Sequence, residues 1–172
     1  MELLLSLCRY SIAWLFLIAA VSKLINKNAF SHSLVESFGM PESLRTVSAL
    51  TIATLEISIA WWLFSALGSA KIAMTLALSM MAMFSLVLVL TYLWRGPVTC
   101  NCFGEQRRTF SIADLSRNAI MICAMSLYLV SPELQLQSSM FMPVLSIAFV
   151  FAVVLIHLHE ATELLTKRSD YD

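Results

Sequence analysis

Apolar residues fall in five long runs separated by short polar stretches. The runs are approximately Leu3 to Ile25, Val47 to Leu67, Ile72 to Trp94, Ser111 to Val130 and Met140 to His159. About 20 residues at 1.5 Å per residue cross a hydrocarbon layer of ~30 Å. Inside lipid a backbone must satisfy its own polar groups, which favours helices. The two-residue alternation of a membrane β-barrel is absent from these runs. The pattern predicts an all-α, polytopic membrane helix bundle of about five transmembrane helices. The first run lacks a basic leader and is long for a signal-peptide core, so it reads as a span, although Ala19 and Ala20 leave a cleavage site open. "NKNAFSHSLVESFGMPESLRT" reads as a short amphipathic helix followed by a turn at Gly39-Met40-Pro41, and "GSAK" as a tight turn. Thr109, Ser111 and Asp114 supply helix-start chemistry for the fourth run, and Ser131-Pro132 ends it.

Composition agrees with this reading. Of 172 residues, 59% are hydrophobic and 13% charged, against about 25% charged in a soluble domain. Net charge is zero, which implies the lipid bilayer as partner and no nucleic acid. Five spans put the two termini at opposite ends of the bundle. The end with the N-terminus is here called proximal and the other distal. Lys23, Lys27, Arg45, Arg95, Arg107, Arg108, Lys167 and Arg168 fall at the distal end, and only Arg9 and Lys71 at the proximal one. By the positive-inside rule the distal end is cytoplasmic and the N-terminus outside.

The distal end also holds the longest polar interruption of the second half, "RGPVTCNCFGEQRRTF". A disulfide between Cys100 and Cys102 would close a small, strained ring, and strain makes such a bond a better exchange partner. Gly96, Pro97, Phe103 and Gly104 shape the turn, while Arg95, Arg107 and Arg108 favour thiolate over thiol. A metal reading needs two more soft ligands. His157 and His159 would have to be brought beside the loop, or the Met-rich third run would have to serve copper. A Cys-X-Cys alone is a weak signal for either, so no metal site is assigned. Cys8 and Cys123 are single cysteines of similar depth in apolar runs, read as inert small hydrophobes, although a second pair is geometrically open.

Besides Arg9 and Lys23 toward the ends of the first and Asp114 at the start of the fourth, two charges lie inside predicted spans. Glu56 is in the middle of the second and Arg117, followed by Asn118, about two turns into the fourth. A charge at mid-bilayer costs roughly 2.5 kcal/mol or more, so each should face the interior and be paired or protonated. Arg117 and Lys23 are both candidate partners for Glu56. The four side chains either staple the bundle or line a pocket beside the cysteines, which His157 could join. Trp61, Trp62, Tyr92 and Trp94 read as interfacial anchors.

"CNCFGE" followed by "SIADLSRNAIM" resembles the MauE/DoxX-like family of redox-associated membrane proteins. The matching positions are Cys100, Cys102, Phe103, Gly104, Ser111, Arg117 and Asn118. "LFLIAAVSKL", ending in Lys23-Leu24, and the mid-span Glu56 resemble its first two spans. The resemblance divides the chain into a four-helix core over residues 1–130, with its loop at 95–110, and a fifth helix and polar tail over 131–172. It implies a role in maturing an exported disulfide-containing protein, of the methylamine dehydrogenase small-subunit type, beside a thioredoxin-like partner in the bacterial inner membrane. Cys100 and Cys102 would be the reactive pair, with Lys23, Glu56, Arg117 and Asn118 as the supporting pocket. The expected activity is thiol–disulfide exchange. No cofactor is required by any residue, and a quinone could accept electrons in the bilayer. Two other readings stand beside it: a non-enzymatic accessory or scaffold subunit of a membrane complex, and a small metal or solute transporter.

Overall fold

A computed structural model of the chain describes residues 2–65, 69–95, 112–132 and 141–169; the side chains of 37, 38, 95, 112–114, 141 and 157–169 are outside that description. The described residues are helical almost throughout. Helix α1 spans Glu2–Ile25, α2 Lys27–Phe38, α3 Arg45–Phe64, α4 Ala70–Arg95, α5 Ile112–Val130 and α6 Phe141–Ser169, with a 3-10 turn at Glu42–Leu44. Three of these, α1, the stretch Glu42–Phe64 and α4, are long and apolar enough to cross a membrane. Leu115–Val130 and Met142–Ile156 are shorter apolar stretches within α5 and α6. The bundle is therefore the helical membrane architecture that the five apolar runs imply, with α2 as the amphipathic addition between the first two.

Side-chain contacts fix the helix directions. Arg9, early in α1, reaches the last residues of α3, and Cys8 reaches Ala124, late in α5. Trp14 of α1 bonds Leu145, early in α6. Asn118, early in α5, bonds Ser85, late in α4. So α1, α4 and α6 run one way and α3 and α5 the other. The last turns of α4 and the first turns of α5 therefore lie at the end of the bundle where α2 lies.

Helix α1 is the central element and packs most heavily on α3 and α6. In lipid the hydrophobic effect gives little drive for helices to associate, so close packing of small residues has to supply it. Ala13, Ala60, Ala73, Ala77, Ala148 and Ala152 are fully buried where the helices meet. Large apolar side chains such as Leu93, Leu127 and Val150 point outward instead, toward the hydrocarbon. Trp61, Tyr92 and Trp94 are exposed near helix ends, as interfacial anchors require, while Trp62 is half-buried.

Three boundaries depart from the sequence reading. Helix α3 stops at Phe64, short of Leu67, where Ser65 turns extended, and the Arg9 guanidinium takes the carbonyls of Leu63 and Ser65 at 2.8 and 2.6 Å. Ala70 and Lys71, read as part of a turn, already belong to α4. Helix α6 runs on to Ser169, ten residues past the expected His159. The added residues include Ala161, Glu163, Leu164, Leu165 and Lys167, all strong helix formers.

Candidate functional site: a buried polar layer at the distal end

The distal half of the bundle contains an ion pair inside its apolar interior. Lys23 Nζ lies 2.5 Å from Glu56 Oε1, with the two residues only 4% and 7% exposed. The backbone directions explain how they meet. Side chains on a helix lean toward its N-terminus. Lys23 is near the distal end of α1, so its stem leans inward along the bundle. Glu56 is about 16 Å along α3 from that helix's distal start, and it leans outward. A lysine at this place would ordinarily snorkel to water; here it turns toward the carboxylate. Of the two partners the sequence offers Glu56, Lys23 is the one bonded to it.

Helix α2 closes the distal side of this pair. Phe30 is fully buried, and its ring centroid lies 5.4 Å from Lys23 Nζ, a cation–π contact. Phe30 and Leu34 pack with Ala49 of α3, supported by Met40 and Ile52. Sequence reasoning gave α2 as amphipathic but missed Phe30 as a lysine partner. Its position one turn into an amphipathic helix directly after the lysine was the available signal.

The layer continues on α4 and α5. Asn118 Nδ2 donates to Ser85 Oγ at 3.1 Å, and both residues are buried. Arg117 is 9% exposed, inside the bundle as expected. Ser85 was not singled out in the sequence, because a serine in a long apolar run is ordinary. Four membrane helices thus each place at least one buried polar or charged side chain in the distal half: Lys23, Glu56, Ser85 and the Arg117-Asn118 pair.

The remaining candidates divide plainly. Cys100, Cys102, Gly96, Pro97, Phe103 and Gly104 lie outside the described residues, as do the side chains of His157 and His159. Cys8 and Cys123 are free thiols. Cys8 Sγ contacts Ala124 O at 3.6 Å. Cys123, however, is exposed, on the side of α5 opposite to buried Met121, Met125 and Tyr128. A second pair would need α5 turned about its axis. Among the described residues no three His, Cys, Asp or Glu gather as a metal site would require.

No curated protein and no solved structure matches the chain. A family model described as methylamine utilisation protein MauE matches residues 1–131. That stretch contains α1 to α5, the buried polar layer and both loop cysteines, so the chain belongs to the MauE family.

Proposed function

We propose that this protein is a membrane thiol–disulfide exchange protein that assists the maturation of an exported disulfide-containing partner; its membership of a methylamine-utilisation family is compatible with that role. The observation that carries the reading is one of placement. Cys100 and Cys102 fall in the sequence between α4 and α5, and the end of α4 and the start of α5 lie at the end of the bundle where the buried charged layer sits. A thiolate at one loop cysteine attacks the partner disulfide and expels a partner thiolate. The second loop cysteine then attacks the mixed disulfide and expels the other. The partner leaves as a dithiol and the loop as a disulfide. Run backward, the same exchange oxidises a partner dithiol. A thioredoxin-like protein resets the loop by a second exchange of the same kind, and a bilayer quinone is the candidate acceptor where net oxidation is needed. Charge bias supports a plasma-membrane orientation with the loop in the cytoplasm, where it exchanges first with a thioredoxin-like protein and passes reducing equivalents across the membrane; direct attack on the exported partner's disulfide belongs to the inverted orientation.

The test is trapping in cells. Cys100→Ser and Cys102→Ser remove one cysteine each. One of the two variants should accumulate a mixed disulfide with a thioredoxin-like protein or the exported partner. Neither variant doing so, together with full partner maturation by the double variant, would support the scaffold reading instead. Metal that copurifies with the wild type but not with the double variant would favour a transporter.

A further inference from the structure

The buried pair has an unfinished side. Glu56 Oε1 is bonded to Lys23, but Oε2 is buried and has no hydrogen-bond partner among the described residues. A carboxylate oxygen without a donor is an expensive thing to bury, and the expense is relieved as soon as water reaches it. The closed arrangement is therefore poised to open at whichever side is least firmly held.

That side is α2. The element is 12 residues long, and a single residue, Asn26 at φ −101° and ψ 34°, separates it from α1. Its other end stops at Gly39, which has φ 67° and donates its N–H to Val35 O, and Pro41 follows two residues later. Positive φ at this position is easy for glycine and strained for other residues. The helix thus has a pivot at each end. Its buried hydroxyls do not tie it to the bundle: Ser31 Oγ donates to Asn28 O, and Ser33 Oγ to Phe30 O, both within α2. Among the described side chains, what seats it is the apolar contact of Phe30 and Leu34 with Ala49, Met40 and Ile52, plus the Lys23 contact to the Phe30 ring, and α2 also touches α4. On the opposite side Lys27, Asn28, His32 and Glu36 are exposed, and His32 pairs with Glu36 at 3.3 Å.

We infer that α2 is a hinged lid that lifts Phe30 off the Lys23–Glu56 pair and admits water from the distal end to the free oxygen of Glu56. The inference does not depend on the loop cysteines, so it stands or falls separately from thiol exchange.

A water-soluble carbodiimide tests it on the full chain in nanodiscs. The reagent activates the Glu56 carboxylate, the Lys23 amine displaces a urea, and an amide joins α1 to α3, readable by peptide mass mapping. The native chain should form this amide. Leu34→Cys with Ala49→Cys places two thiols in the contact that seats the lid, and oxidation of that pair should lower amide formation at least tenfold, with recovery on reduction. A lipid-soluble carbodiimide should form the amide in both states, which shows that the locked variant keeps the pair. Equal reaction of the water-soluble reagent in both states overturns the lid. A second measurement needs no variant. Amide hydrogen exchange across α2 should be at least tenfold faster than across Ala49–Ala60 of α3, and equal protection of the two segments overturns the lid as well.

Discussion

The two ends of the bundle solve different problems. The proximal half is closed by packing. Trp14 stacks edge-on against Phe64 and Phe149 at 5.1 and 4.9 Å, and its indole N–H donates to Leu145 O, which joins α1, α3 and α6. Its one internal cation, Arg9, is spent on the carbonyl end of α3 and stacks over Tyr10. The Trp14 and Arg9 donors both serve backbone carbonyls, although Ser11 Oγ is buried there without a partner among the described residues. The distal half instead holds a buried carboxylate with one oxygen unserved among the described residues, a lysine turned away from water and an asparagine–serine bond between helices. Replacing a buried ion pair by apolar residues is often neutral or stabilising. A membrane protein that needed only a stable distal end would do better with leucine. Polar groups held at such cost inside lipid are a functional signal by default.

The largest expected effect breaks the distal half alone. Lys23→Ala leaves Glu56 buried and unpaired and should cost about 3–5 kcal/mol of stability. Lys23→Met combined with Glu56→Leu should recover most of that loss in thermal unfolding followed by tryptophan fluorescence. The same double variant should fail to mature the partner. A stable and fully active double variant would make the distal layer a staple and erase the contrast between the ends.

Arg9→Met is the matching test of the proximal half. It removes two charge-assisted bonds to α3 and should cost about 2 kcal/mol, while maturation per folded molecule stays unchanged. A loss of activity larger than the loss of folded protein would extend the functional region to both ends. The smallest effect is expected at Ser85→Ala. Interhelical hydrogen bonds in membranes average about 0.6 kcal/mol, so unfolding should hardly move. An activity change beyond that amount would mark Asn118 as a member of the working layer.

The architecture was legible in the sequence because span length and hydropathy are local properties. Each predicted span has a helix near its expected bounds, and "NKNAFSHSLVESF" reads as the amphipathic α2 it is. Burial of Glu56, Arg117, Asn118 and Lys23 was legible too, since an ionisable or amide group in an apolar run has few other places to go. Partner choice was less so. Arg117 and Lys23 stood as equals for Glu56 until the helix directions showed Lys23 leaning in and Glu56 leaning out. Arg9 counted only as a proximal charge, with nothing local to say that it would reach the end of α3. The equal depths of Cys8 and Cys123 left a second pair open, and the rotation of α5 turned one of them outward.

The sequence by itself determined the number, order and approximate length of the elements, the membrane class, the family and the residue types available for chemistry. Helix period and hydrophobic length are written residue by residue, and the bilayer reads them without help from the rest of the chain. Only the tertiary structure decided that Lys23 completes Glu56, that Phe30 covers them, that Arg9 caps α3 and that α6 packs beside α1. Those outcomes depend on how each helix is rotated and where it crosses its neighbours. Rotation is set by close packing summed over whole interfaces, and no single stretch of sequence carries that sum.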